Sequence, residues 1–160
     1  MAYLSGEIAR NTYDKDVAFY NVKAGVVHTT LYGLGVSLKD GKVDLLASGD
    51  TFIGVALRGS GRNCGEYYTS TDAWSVDVIN DGYVTLNVTG SNIKVGDLVT
   101  VGAGGVFSKT TDVALSIGKV TSVGNSIFEV ELTGNMITVA GAPPLSESKT
   151  IKRGEVNNGL

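Results

Sequence analysis

Apolar positions along this chain come in short runs, broken every few residues by Gly, Asp, Asn or Ser. Within the clearest runs they alternate with polar ones. The densest stretch is 93–132, where three Val- and Ile-rich segments, 93–107, 113–120 and 127–132, are separated by turn residues. That is the signature of strands joined by tight connections. In the last segment Phe128, Val130 and Leu132 share one face, and Glu129 and Glu131 share the other. Such a strand has one face on a core and one in water.

The pattern starts earlier in the chain. Apolar runs at 17–22, 26–32, 36–38, 43–46 and 52–57 predict further strands, with Asp40-Gly41 as a hairpin signal between two of them. Segments 74–78 and 83–88 both alternate around Asn80-Asp81-Gly82, which predicts a hairpin with its turn at those three residues. The best helical window, 111–120, contains Gly118 and lacks a 3.6-residue period. The expected fold is all-β, a compact small barrel or sandwich of short antiparallel strands with extended N- and C-terminal segments.

Three divisions follow. Residues 1–16 match no strand or helix template and read as an N-terminal arm, 17–142 as the β domain, and 143–160 as a flexible C-terminal tail. Pro143 and Pro144 end the β pattern, since neither can donate to a ladder. A weak internal echo is also present. Val36, Val43 and Ile53-Gly54 are spaced like Val99, Val106 and Ile117-Gly118, about 63 residues on, with a slip of one before the second Ile-Gly. A duplicated β unit and coincidence in a Val- and Gly-rich chain both account for it.

Composition adds constraints. Of 160 residues 22 are Gly, without a three-residue period, which fits many tight turns and excludes collagen. The net charge of −3 argues against a nucleic-acid or anionic-membrane surface. The single cysteine, Cys64, excludes an internal disulfide and fits assembly in a reducing cytoplasm. No apolar window is long enough to span a bilayer, and the N-terminus lacks the charged and apolar regions of a secretory signal. A soluble protein made in the cytoplasm is expected.

Candidate chemistry is sparse. His28 and Cys64, each alone of its kind, form a Cys–His pair only if the fold joins them, and two such ligands are too few for structural zinc. Asp14 and Asp16 lack the glycine and terminal glutamate of a calcium loop. Gly33-Leu34-Gly35 lacks the following helix that a dinucleotide site requires. Asn87-Val88-Thr89 is a formal glycosylation acceptor without a secretory context. Tyr67, Tyr68, Trp74 and Tyr83 read as core or subunit interface, with a sugar-stacking platform as the alternative. No catalytic set, metal site or cofactor is expected.

Val95-Gly96-Asp97-Leu98-Val99, then Gly105-Val106, Ile117-Gly118 and the strand Val130-Glu131-Leu132 carry a resemblance. With Gly49-Asp50 and 53–56 they make residues 43–132 similar to the head decoration, or capsid cement, proteins of tailed bacteriophages. The resemblance implies a non-enzymatic virion protein on the outer capsid surface. It would bind the major capsid protein as a homotrimer and stabilise the expanded shell, with neither nucleic acid nor membrane as partner. The chain is longer than that pattern at both ends. Tyr3, Leu4, Ile8, Arg10 and Tyr13 of the arm are the expected capsid or subunit contacts, the apolar ones supplying anchors and Arg10 pairing with a capsid carboxylate. Trp74 and Tyr83 are the expected subunit interface. A carbohydrate- or receptor-binding module of a fibre or tail is the alternative.

Overall fold

The computed structural model describes residues 4–10, 15–63 and 74–140. Among them there is no α-helix, only three short 3-10 turns, and the rest is strand and loop. The strands are β1 (Ile8–Arg10), β2 (Asp16–Asn21), β3 (Gly35–Lys39), β4 (Lys42–Leu45), β5 (Gly54–Ala56), β6 (Arg62–Asn63), β7 (Trp74–Thr89), β8 (Leu98–Val101), β9 (Phe107–Thr110), β10 (Gly118–Ser122) and β11 (Ile127–Thr133). The all-β expectation holds, and the barrel form of it is the one adopted.

The expected hairpin at Asn80-Asp81-Gly82 is not formed. β7 runs unbroken for 16 residues through those three. Its pairing with β2 slips between Asp16↔Asp81 and Val17↔Ile79, so Asn80 is an extra residue, a β-bulge. A bulge flips the side-chain alternation. Val76 and Val78 therefore face one core, while Ile79, Val84, Leu86 and Val88 face another. The turn-forming residues turn the faces of the strand instead of reversing it.

Each half of β7 closes a five-strand ring. The C-terminal half pairs with β11, and the ring continues β11–β10–β8–β9 until β9 returns to β7 in parallel, Val88 opposite Phe107. The N-terminal half pairs with β2 and β5, and the path β5–β3–β4 returns to β2 through a parallel bridge, Val22 opposite Val43. The registers correspond strand for strand. Val36 lies opposite Gly54 as Val99 lies opposite Gly118, and Leu38 opposite Val43 as Val101 opposite Phe107. Ala56 faces Val78 as Val120 faces Val130, and Tyr20 faces Val76 as Leu86 faces Phe128.

The echo in the sequence is thus a repeated topology, with one adjustment. The structural counterpart of Val43 is buried Phe107, not exposed Val106, so the slip lies within the second hairpin. Interiors match as well. Val22, Val36, Val43, Ala56, Val76 and Val78 fill the first barrel where Val88, Val99, Phe107, Val120, Phe128 and Val130 fill the second. The first set is smaller, and Leu31, from the turn His28–Leu31, is buried with it. Gly54 and Gly118 also share a role. A side chain on Gly54 would strike the Ile79 carbonyl at 2.5 Å, and one on Gly118 the Glu131 carbonyl. Leu46, Phe52, Leu57, Ile137 and Val139 pack into the same cluster as the second barrel's interior, with Phe52 edge-on to Phe107 at 6.4 Å.

Candidate functional site

The arm is where sequence reading placed the contacts, and its described part lies along the second barrel. β1 pairs with β7, Ile8 opposite Val84 and Arg10 opposite Tyr83, with Ala9 as the extra residue. Just before it, the Gly6 N–H donates to the Thr85 carbonyl at 2.6 Å and the Thr85 N–H donates to the Glu7 carbonyl at 2.8 Å. Buried Thr85 adds its hydroxyl, donating to the Leu4 carbonyl at 2.6 Å and accepting from the Glu7 N–H at 2.9 Å. Ser5 Oγ accepts from the Asn87 N–H, and the Arg58 guanidinium donates to the Ser5 carbonyl at 2.9 Å. A side chain on Gly6 would lie 2.6 Å from the Gly33 backbone, so only glycine allows this approach.

Residues 5–8 are therefore held by backbone groups, whereas Leu4 and Ile8 remain 55% and 40% exposed. The sequence reading of this segment as lacking a strand is corrected here. Its partner strand lies far along the chain, and backbone bonding leaves no mark in hydropathy.

Arg10 is engaged within the chain. Its guanidinium makes a forked contact with Glu129, 2.7 Å at the closest, and lies 4.5 Å over the Tyr83 ring. Burial pushes the Glu129 carboxyl up, but hydrogen bonds from Arg10 and Thr121 outweigh it and hold the group below its ordinary range. Glu129 in turn raises the Arg10 pKa, through their hydrogen bond first and their opposite charges second. Tyr83 is half-buried under this pair.

Trp74, the other expected interface aromatic, begins β7 and stacks on His28 with ring centres 3.8 Å apart. Tyr32 meets His28 edge-on at 5.9 Å, and its hydroxyl accepts from the Gly61 N–H at 2.8 Å. The indole face that a sugar would use carries an imidazole. Tyr3, Tyr13, Asp14, Cys64, Tyr67 and Tyr68 lie outside the described residues, as does 143–160. Asp16 is exposed on β2, Gly33 forms a turn before β3, and Asn87 is exposed on β7. Among the described residues no three His, Cys, Asp or Glu side chains gather as metal ligands. Sequence reading missed Ser5, Arg58, Thr85 and Glu129, which hold the arm through contacts 28 or more positions distant.

Two apolar barrels share a strand, and an arm is laced to the second of them. Residues 2–136 match the model of the phage structural cement protein family (E217 gp24/Pam3 gp6), and the chain belongs to that family. A chain from the capsid of Myoviridae phage XM1 is similar in fold, with a TM-score of 0.58 and 16% identity over 81% of this chain and 89% of that one. No curated protein matches the sequence. The role is that of a cement protein, structural and associated with a phage capsid.

Proposed function

We propose that this protein binds the outer surface of an assembled phage capsid, as a homotrimer with the major capsid protein as partner, and stabilises the expanded shell. Membership of the cement family over residues 2–136 carries the reading. The geometry supports it: a body closed by two rings of strands tolerates strain, and small contacts repeated over a lattice add to firm retention. Leu4 and Ile8 present exposed apolar side chains on a backbone already held in place, so docking them costs less ordering entropy than a free arm would. Tyr3 and Tyr13 flank them in sequence and join the proposed contact, while Arg10 orients the segment through Glu129.

The test uses purified expanded capsids stripped of this protein. Adding it back should restore resistance to heat and raise the temperature of DNA release. Stripped capsids that rebind the protein to saturation without gaining resistance would overturn the reading. A mass of one subunit, both free and in the bound density, would overturn the trimer.

A further inference from the structure

The two barrels differ along one edge. In the second, the outer edge of β7 is covered by β1 and the residues before it. The corresponding edge of the first belongs to β2, where Ala18 stands for Val84 and Phe19 for Thr85. Thr85 directs its N–H and carbonyl to the arm. Alternation does the same for Val17 and Phe19, since the Val22 N–H, of the other parity, donates to the Trp74 carbonyl on β7. Among the described residues no strand pairs with this edge before the bridge at Val22. Unpaired donors and acceptors in a row are a template for another strand. Beside it opens a groove of about 170 Å³ lined by Asp16, Ala18, Tyr20, Leu38, Ile53 and Met136.

The arm shows what such an edge accepts. Ser5 bonds across to Asn87, Ile8 lies opposite Val84, and Arg10 reaches Glu129 on the next strand. The same three residue types recur at the same spacing in the C-terminal segment, as Ser148, Ile151 and Arg153. The first barrel also has the acid: Asp77 faces Phe19 as Glu129 faces Thr85. Asp77 holds Arg62 through one oxygen, and exposed Asp16 opens β2 opposite Asp81 of β7. Lys149, Lys152 and Arg153 complement these carboxylates.

We infer that this edge of β2, unpaired among the described residues, takes residues 148–153 of a second copy as an added antiparallel strand, in the way β7 takes β1. A second copy is indicated because the chain leaves this edge: Met136 lines the groove, but Val139 is already bonded to Gly49 and Asp50. Pro143 and Pro144 then stand before the segment and resist a reversal. The inference rests on self-association in the proposed function and names its contact.

The test uses full-length protein carrying Ile151→Asp and Arg153→Glu, so that its own tail is disabled, and a labelled peptide of residues 145–156. The peptide should bind. Phe19→Pro, which removes an outward N–H and leaves the β2–β7 bonds in place, should weaken it at least about tenfold. Lys149→Pro in the peptide, removing the N–H equivalent to that of Gly6, should do the same without touching the folded protein. The tail variant should also have a smaller mass by light scattering than the unaltered protein. Binding indifferent to both prolines, no binding at about 100 μM, or an unchanged mass would overturn the inference. Capsid retention of the unaltered protein is scored separately, so failure of strand exchange and failure of the shell reading give different results.

Discussion

Thr85→Val isolates the hold of the arm on the barrel. The substitution keeps size and β-branching but removes the hydroxyl, which serves the Leu4 carbonyl at 2.6 Å and the Glu7 N–H at 2.9 Å. Two hydrogen bonds at about 1 kcal/mol each are lost, and part of a desolvation penalty is added while both partners stay beneath the arm, giving roughly 2–3 kcal/mol. For a chain of this size that lowers the melting temperature by about 5–10 °C. There is a ceiling. If undocking costs less than this, the arm leaves and its polar groups return to water, so the loss stops at the docking free energy. Amide exchange separates the cases. An arm that stays keeps protection at Gly6 and Thr85, and one that leaves loses it there first. Thr85→Ser should retain most of the stability. A Thr85→Val protein with its melting point within about 1 °C of the original and unchanged exchange at Gly6 would refute the reasoning.

Gly54→Ala and Gly118→Ala should each destabilise by about 2–3 kcal/mol or more by denaturant titration, because each methyl meets a carbonyl of the neighbouring strand, whereas Gly41→Ala, with open space around it, should cost about 1 kcal/mol through its positive φ alone. Glu129 has a folded pKa below its unfolded value, so its contribution is present above the ordinary carboxylate range and lost as pH falls through the lowered folded value. Glu129→Gln should remove that part of the acid-side slope in a stability-versus-pH series. Leu4→Asp with Ile8→Asp should leave the melting temperature nearly unchanged, since both side chains are exposed, and should reduce capsid retention at least about tenfold in a sedimentation assay.

Much of the β content was legible because the strands are amphipathic: Phe128, Val130 and Leu132 point inward and Glu129 and Glu131 do not. The Asp40-Gly41 turn was legible too, since both residues take the positive φ that such a hairpin needs. The Asn80-Asp81-Gly82 signal misled because the same residues suit a turn and a bulge, and only the strands on either side decide between them. Spacing alone left the duplication open. Register shows a repeated topology, since Val36, Gly54, Val99 and Gly118 correspond through pairings and not through a constant offset. Arg10 read as a partner for a capsid carboxylate because Glu129 is 119 positions away and nothing local announces the pair.

The shared strand also has a mechanical meaning. β7 extends about 50 Å at about 3.3 Å per residue over its 16 residues, passing from one barrel into the other without a linker. A pull applied to one barrel along that axis is carried by covalent bonds, and flanking strands resist it in shear, with many hydrogen bonds loaded together. Two barrels joined by a loop would instead peel apart one bond at a time. In the proposed role a shell swelling under internal pressure would load the protein across both halves, and β7, the longest strand among the described residues, spans them.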